Sequence, residues 1–263
     1  MSEISIIKKE QDKFLDSLIF EGMTSISAIL NSPEINDRRI VTVLYDASKE
    51  RSKAKELGYL RFKAKELGFD IEAVDAEIID SMTIGNSHGG IVAICTERTI
   101  PLLNKSICDI KSDGFYVMIE GIEDPYNFGY ALRSLYAAGV DGVILSMRNW
   151  MSASGVVARA SAGASEMLPV FVDSDSSAAD IFKSEGYKII CAGIRNSVSI
   201  YEANMKKPIF LVIGGEKRGI SAALLEKADE IVRIDYASGF KGSLSAASSA
   251  AIIGFEVMHQ NNI

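Results

Sequence analysis

Three polar side chains of different chemistry lie within ten residues of one another in the stretch DPYNFGYALR at 124–133. Asp124 carries a carboxylate, Asn127 an amide and Arg133 a guanidinium. An amide can orient a neighbour by hydrogen bonds, and a guanidinium can bind phosphate or stabilise negative charge. The stretch follows the apolar run FYVMIE, which indicates a buried strand. The sequence therefore predicts a polar turn that leads from a strand into a helix.

Helical periodicity follows this turn, with Asn127 as the predicted N-cap and Gly139 as the predicted end of the helix. At about 100° per residue, Arg133 lies about 140° from Phe128, outside the apolar arc of the helix. A surface arginine is the ordinary meaning of such a position. Local pattern alone therefore does not make Arg133 functional.

A second polar turn has the sequence VIGGEKRGIS at 212–221 and again lies between an apolar strand and a helix. Its glycines allow a ligand to approach the backbone closely, although their spacing matches neither GxGxxG nor a P-loop. Two or three glycines more often mark only a tight connection. Glu216 within the turn is harder to explain in that way.

The third polar segment has the sequence RIDYASGFKGSLSAASSAA, from Arg233 onward. Its loop joins a strand to a final helix built largely of small residues, with Ser243 as the predicted N-cap. All three polar turns follow strands. In an open α/β sheet, loops at the carboxyl ends of parallel strands meet in one crevice, where ligands bind. Their convergence predicts a single site.

The elements that must position these turns follow an α/β alternation. From Arg39 to Cys95, strands and helices alternate in a way that predicts a small α/β domain with a mainly parallel sheet. Periodicity is lost between Thr96 and Gly114, and a second alternation begins at Phe115. We predict domains at 1–100 and 113–263 joined by a linker at 101–112.

Composition excludes several classes of protein. The chain has 263 residues, 48% hydrophobic and 24% charged, with a formal net charge of -7. These values are typical of a globular protein with a sizeable core. The sequence contains neither a signal peptide nor a run of membrane-spanning length, so we expect a cytoplasmic protein without a membrane partner.

The metal-ligating residues are few. His88 and His259 are the two histidines, which excludes a histidine-rich metal site and disfavours a histidine base. Cys95, Cys108 and Cys191 show no CxxC spacing, and we interpret them as buried thiols in a reducing compartment. No metal is expected.

Taken together and in order, the motifs resemble those of the SpoU (TrmH-like) ribose 2'-O-methyltransferases of the SPOUT superfamily. The first motif, D-P-x-N-x-G with an arginine six positions after the asparagine, is filled by Asp124, Pro125, Asn127, Gly129 and Arg133. The G-x-E-x-x-G motif is filled by Gly214, Glu216 and Gly219. An intervening S-x-G-A element is filled by Ser161, Gly163 and Ala164.

The third motif departs from the family at two positions. The family has I-P, a short loop and S-L-N, whereas this chain has Ile234, Asp235, Ser243, Leu244 and Ser245. Asp235 replaces the proline and Ser245 replaces the asparagine. A serine lacks the reach and the two donors of the amide, which bears on target positioning or rate.

The resemblance implies a C-terminal SPOUT domain with a trefoil knot and a parallel sheet, preceded by a small α/β substrate-binding domain. It also implies S-adenosylmethionine as cofactor, RNA as substrate, ribosomal RNA rather than tRNA, and a homodimer. The implied cofactor-binding residues are Gly193, Gly214, Gly215, Ile234, Tyr236 and Leu244. The implied catalytic residues are Arg133, as phosphate anchor and electrostatic activator of the hydroxyl, with Asn127, Glu216 and Ser243 around it.

Two other functions are open on the residues. A catalytically silent RNA-binding paralogue would keep the fold but lose methyl transfer through the Asp235 and Ser245 changes. The retention of Arg133, Asn127 and Glu216 argues against it. A nucleotide-binding dehydrogenase would need a glycine fingerprint and a distal acidic residue that the sequence lacks.

Residues 49–65 hold seven Lys or Arg against two Glu, with Tyr59 and Phe62 among them. Such a stretch can contact phosphates and stack on an exposed base, and it can equally be a solvated helix face. The sequence leaves both interpretations open.

Overall fold

The computed structural model describes residues 18–83, 88–104, 109–146, 153–240 and 242–262. The chain divides into two compact units. The first comprises Met1–Thr99 and Asn149–Met167, and the second comprises Ile100–Arg148 and Leu168–Ile263. Residues 153–167, the described part of the segment Asn149–Met167, thus belong to the N-terminal unit, although they lie in the range predicted for the second domain. The boundaries at 100 and 113 stay a prediction.

The N-terminal unit is built on a four-stranded sheet of order β1-β4-β2-β3. Its strands are β1 (Ile19–Glu21), β2 (Ile40–Asp46), β3 (Asp70–Val74) and β4 (Ile91–Cys95). Its helices are α1 (Gly22–Leu30), a 3-10 turn at Ala47–Lys49, α2 (Ala54–Leu67), α3 (Ala76–Met82), α5 (Ser154–Ala160) and α6 (Ala164–Met167).

The mainly parallel sheet predicted for this unit is wrong. Only β2 and β3 pair in parallel, whereas β4 runs antiparallel to both β1 and β2. Strand β4 begins with Ile91 beside Tyr45, near the end of β2 where β3 also ends. Periodicity identifies strands but not their direction.

A buried ion pair ties the α5–α6 segment into this unit. The Arg38 guanidinium lies 2.9 Å from the Glu166 carboxylate, and the two side chains are 2% and 4% exposed. Arg38 also donates to the carbonyl of Thr96 and lies over the Phe20 ring. Asn36 donates to the Glu166 carbonyl oxygen at 2.7 Å. Buried charges are tolerated only when they are paired in this way.

The S-x-G-A element follows α5 and packs on α1. Gly163 has a φ of +85°, and a Cβ there would lie 2.6 Å from the Cβ of Ala28. The Ser161 hydroxyl accepts a hydrogen bond from the backbone N–H of Ser165. Glycine is therefore required both by the backbone conformation and by the close approach of α1.

The C-terminal unit is built on a seven-stranded sheet of order β7-β6-β5-β10-β8-β11-β9, in which every neighbouring pair is parallel. Its strands are β5 (Phe115–Glu120), β6 (Gly142–Ser146), β7 (Val170–Asp173), β8 (Lys188–Ala192), β9 (Val198–Ser199), β10 (Ile209–Gly214) and β11 (Glu230–Arg233). Its helices are α4 (Pro125–Ala137), α7 (Ala178–Ser184), α8 (Ala222–Lys227) and α9 (Ala246–Asn261).

The central strands of this sheet read as continuous apolar runs because both faces are covered. Strand β5 and strand β10 are buried over all but their last residue, as expected for the interior of a parallel sheet. The three polar turns follow β5, β10 and β11, so they leave the sheet at one edge. The predicted placement of the three turns at one edge of the sheet is confirmed.

Cys95 and Cys191 are free and buried, as predicted, and Cys108 lies outside the described residues. Burial raises the pKa of each of these two thiols to about 12. In the part of the chain that the structure describes, no helix is long and apolar enough to cross a membrane. The same residues contain no group of three or more His, Cys, Asp or Glu side chains placed to hold a metal.

Removing the Glu166 carboxylate should destabilise the N-terminal unit because it leaves the Arg38 charge buried and uncompensated. We expect Glu166→Ala to lower the free energy of unfolding by about 3 kcal/mol, measured by urea titration with circular dichroism. Glu50→Ala removes the partner of the half-exposed Arg61 and should lower the free energy of unfolding much less, because solvent screens an exposed ion pair. Equal losses for the two variants would contradict a structural role for the buried pair.

Candidate active site

A cavity of about 960 Å³ lies where β8, β10 and β11 end, and all its lining residues belong to the C-terminal unit. Its size suits a nucleotide-like ligand. Eight of the ten predicted site residues line it: Gly193, Gly214, Gly215, Glu216, Ile234, Tyr236, Ser243 and Leu244. The other two, Asn127 and Arg133, lie on α4 and do not form part of its wall.

Two adjacent glycines let the second turn fold tightly on its neighbours. A Cβ on Gly215 would lie 2.0 Å from the carbonyl oxygen of Gly121, and one on Gly214 would lie 2.4 Å from the carbonyl carbon of Gly219. These neighbours are backbone atoms, which cannot rotate away. The Gly215 N–H donates to the Glu120 carbonyl oxygen at 2.6 Å. The wall of the cavity therefore includes backbone that no larger residue could form.

Glu216 connects the three polar segments. Its Oε1 accepts a hydrogen bond from the Asn127 side-chain amide at 3.2 Å. The same oxygen accepts from the backbone N–H of Ala246, the first residue of α9, at 3.3 Å. The first turns of α4 and α9 are thus both attached to the turn that follows β10.

Both predicted N-caps are wrong. Helix α4 begins at Pro125, and the Asp124 carboxylate accepts from the backbone N–H of Asn127 at 2.8 Å. Asp124 is the cap because proline has no N–H to leave unsatisfied and suits the first helical position. This arrangement leaves the Asn127 side chain free to reach Glu216.

The N-cap of α9 is Ser245 rather than the predicted Ser243. The Ser245 hydroxyl accepts a hydrogen bond from the backbone N–H of Ser248. The Ser243 side chain is exposed at the cavity instead. The serine that replaces the family's asparagine thus serves its own helix. Several residues near the start of the helix satisfied the N-cap pattern, and sequence alone did not distinguish them.

The third segment folds back on itself beside the cavity. The Tyr236 hydroxyl accepts from the backbone N–H of Leu244 at 3.1 Å. Asp235, the residue that replaces the family's proline, accepts from Arg233 at 2.8 Å. A hydrogen bond from the Ser199 hydroxyl, assisted by Arg233, lowers the pKa of Asp235. The Asp235 carboxylate is therefore ionised at neutral pH and bound to its own strand and to β9.

Arg133 lies on the exposed side of α4, as the helical wheel predicts. Among the described residues it forms no hydrogen bond and no ion pair with a carboxylate. Asn127, in the first turn of the same helix, faces Glu216. The structure thus brings Asn127 and Glu216 into contact and leaves the Arg133 guanidinium exposed.

The side chains that line the cavity and that sequence reasoning missed include Arg195, Arg218 and Phe240. Phe240 is 58% exposed, and its ring lies 5.9 Å from that of Tyr236. A Cβ on Gly242 would lie 2.4 Å from the Phe240 ring. An exposed aromatic residue between two glycines was the available signal for Phe240. Arg195 and Arg218 carried none beyond their place after a strand.

The C-terminal unit is therefore a doubly covered parallel α/β fold whose ligand crevice is formed by glycine-rich turns. Residues 114–255 match the model of the SpoU rRNA Methylase family, and residues 19–101 match that of the RNA 2'-O ribose methyltransferase substrate binding domain. Since the first match covers more than half of the chain, the chain belongs to the SpoU rRNA methylase family.

Relatives match over most of their length. The chain is 35% identical over 196 residues to a putative TrmH family tRNA/rRNA methyltransferase of Staphylococcus saprophyticus, covering 73% of this chain and 78% of the relative. It is 29% identical to the 23S rRNA (guanosine-2'-O-)-methyltransferase RlmB of Shewanella oneidensis, covering 96% and 98% of the two chains.

Solved structures share the fold. A crystal structure of an RNA 2'-O ribose methyltransferase has a TM-score of 0.77 at 23% identity, covering 96% of each chain. An AdoMet-bound rRNA methyltransferase from Sinorhizobium meliloti has a TM-score of 0.76 at 22% identity, covering 95% and 93%. The predicted family, fold class and enzyme class, an S-adenosylmethionine-dependent RNA methyltransferase, are confirmed.

A Cβ at Gly215 should displace the turn that forms the cavity wall. We expect Gly215→Ala to weaken the binding of S-adenosylmethionine at least tenfold, measured by titration calorimetry on the folded variant, because the Gly121 carbonyl cannot move aside. Gly239→Ala is the matched control, since a Cβ there meets nothing within 4 Å. Unchanged affinity in Gly215→Ala would show that this turn does not shape the cofactor site.

Proposed function

We propose that the protein transfers a methyl group from S-adenosylmethionine to a ribose 2'-hydroxyl of RNA, ribosomal RNA rather than tRNA. The observation that carries this proposal is the contact of Asn127 and Ala246 with one oxygen of Glu216. It joins the starts of α4 and α9 beside the glycine-rich cavity.

The lining of the cavity fits the proposed cofactor. Apolar side chains such as Ile213, Ile234 and Leu244 can enclose an adenine ring, and backbone groups at Gly193 and Gly214 can approach its polar edge. When bound, S-adenosylmethionine supplies an electrophilic methyl group on a positively charged sulfur. We propose that the residues of the chain bind and orient the cofactor largely through backbone.

The hydroxyl side of the reaction requires placement and help with a weakly acidic proton. A guanidinium offers hydrogen-bond donors and no acceptor, so we do not assign Arg133 the role of the base. We propose that it anchors an RNA phosphate and stabilises the developing negative charge on the 2'-oxygen. Asn127 and Glu216 then fix the start of the helix that carries Arg133, with the Ser243 hydroxyl nearby.

We assign ribosomal RNA as the substrate, which is more specific than membership of the family. Relatives that match almost the whole chain, such as the Shewanella oneidensis protein, are named as 23S rRNA methyltransferases. The predicted domain at 1–100 overlaps the substrate-binding model at 19–101. We propose that this domain binds ribosomal RNA in the cytoplasm.

Arg133→Ala should remove transfer while leaving the affinity for S-adenosylmethionine nearly intact, because Arg133 does not line the cavity. We expect methyl incorporation into unmodified ribosomal RNA to fall by at least about 10²-fold. Arg133→Lys keeps the charge without the planar fork and should recover only a small part of the rate. A variant that still methylates at the wild-type rate would refute the proposed role.

The alternative function, a catalytically silent RNA-binding paralogue, rests on Asp235 and Ser245. A folded protein that binds RNA but does not bind S-adenosylmethionine would establish it. Saturable cofactor binding by titration calorimetry would exclude a protein that has lost the cofactor site. This measurement requires no knowledge of the RNA substrate.

We also propose that the protein is a homodimer. Helices α4 and α9 pack on each other, and a Cβ on Gly254 would meet the side chains of Leu135 and Ala138 at 3.3 and 3.4 Å. Outside that contact, aromatic side chains of both helices are exposed: Tyr130, Tyr136 and Phe255. The exposed Arg133 lies on the same helix as two of them. Exposed aromatic groups of this kind are typical of interfaces.

Introducing charge at this surface should separate the subunits. We expect Phe255→Glu to shift the mass measured by light scattering after gel filtration from two chains towards one. Phe62→Glu, which alters a more exposed phenylalanine of the N-terminal unit, should leave the mass unchanged. A wild-type protein that already elutes as a single chain at micromolar concentration would refute the homodimer.

A further inference from the structure

Helix α2 of the N-terminal unit presents a continuous exposed stripe of cations and one aromatic ring. We infer that this α2 stripe, which consists of Lys55, Gly58, Phe62 and Lys65 on the helix and Arg51 in the turn before it, is a binding surface for unpaired RNA. The inference rests on the proposed function, since it assigns part of the substrate's contact surface. From Lys55 onward the members recur at spacings of three, four and three residues, which places them on one side of the helix.

The opposite side of α2 forms part of the core. Leu57 and Leu60 are fully buried. Tyr59 packs against the core, and its hydroxyl lies 3.4 Å from the side-chain oxygen of Asn31. Of the two aromatic residues in the basic stretch, Tyr59 is thus engaged with the protein, whereas Phe62 is 66% exposed. The structure distinguishes two residues that the sequence could not.

The acidic residues near the helix are occupied by cations outside the stripe. Glu56 pairs with Lys53 at 3.0 Å, Glu66 with Lys63 at 2.8 Å and Glu50 with Arg61 at 2.8 Å. In the described part of the chain, the three stripe cations have no carboxylate partner. Their charges are therefore available to an external anion, although the whole chain is acidic.

The geometry of the stripe fits a nucleic acid strand with at least one base exposed. Lys55 and Lys65 are ten residues apart, about 15 Å along the helix axis, which is enough to contact more than one phosphate. Gly58 lies one turn before Phe62, and a Cβ there would meet nothing within 4 Å. This leaves the ring accessible from that side. Aromatic rings flanked by cations bind unpaired bases, whose faces are hidden within a duplex.

The test measures RNA binding by the full chain, with fluorescence anisotropy of a labelled single-stranded 12-nucleotide RNA and of the same strand paired with its complement. We expect Lys55→Gln/Lys65→Gln to raise the Kd for the single strand about tenfold. The slope of log Kd against log salt should fall by about 1.4, or about 0.7 for each lost phosphate contact. Lys53→Gln/Lys63→Gln makes the same charge change on the same helix and should have a much smaller effect.

Phe62→Leu keeps an apolar side chain but removes the ring. It should weaken binding of the single strand about fivefold and leave duplex binding unchanged. Equal losses for the two lysine double variants would overturn the stripe, because the effect would then be one of net charge. An unchanged Kd in Phe62→Leu, or tighter binding of the duplex by the wild type, would overturn recognition of unpaired bases.

Calorimetry with S-adenosylmethionine on the same variants separates this inference from the proposed function. Loss of RNA binding with cofactor affinity unchanged supports the stripe. A wild-type protein that binds RNA through the stripe but does not bind the cofactor would preserve the inference and refute the methyltransferase proposal.

Discussion

The arrangement of the candidate active site depends on one carboxylate oxygen. Glu216 Oε1 accepts from the Asn127 side chain and from the first N–H of α9. The acceptor lies in the turn after β10. The two donors lie in the first turns of helices that are far from it in sequence. The N–H groups of a first helical turn have no partner within the helix. A carboxylate that accepts from one of them stabilises the helix terminus and fixes its position at the same time.

Because of these hydrogen bonds, the chemical type of each site residue matters more for the site's geometry than its burial. Asn127, Glu216 and Ser243 are all accessible to solvent to some degree, so none is required for the core. The parallel register brings β5 and β10 to an end together, with Glu120 paired to Gly214. Two consecutive glycines then allow the turn to pack on the backbone of Gly121. The sheet register, the two glycines and the Glu216 carboxylate thus together position the start of α4.

The sequence predicted this edge of the sheet well because buried parallel strands and polar turns leave strong patterns. Eight of the predicted site residues line one cavity for that reason. It did not identify the N-caps, because Asp124 and Asn127 both satisfy the capping pattern and only the helix geometry selects between them. Nor did it predict that α5 and α6 pack in the N-terminal unit through Arg38 and Glu166. Contacts between residues 128 apart leave no local periodicity.

Charge distribution connects the acidic composition with an RNA substrate. A chain with a net charge of -7 repels phosphate overall, so its non-specific binding to RNA is weak. Cations that pair with neighbouring carboxylates weaken this binding further. Around α2 the acids are matched to Lys53, Lys63 and Arg61, and the excess positive charge remains on one side of the helix. The acidic surface elsewhere then favours the orientations of RNA that reach that side. Orientation by repulsion adds selectivity without adding contacts.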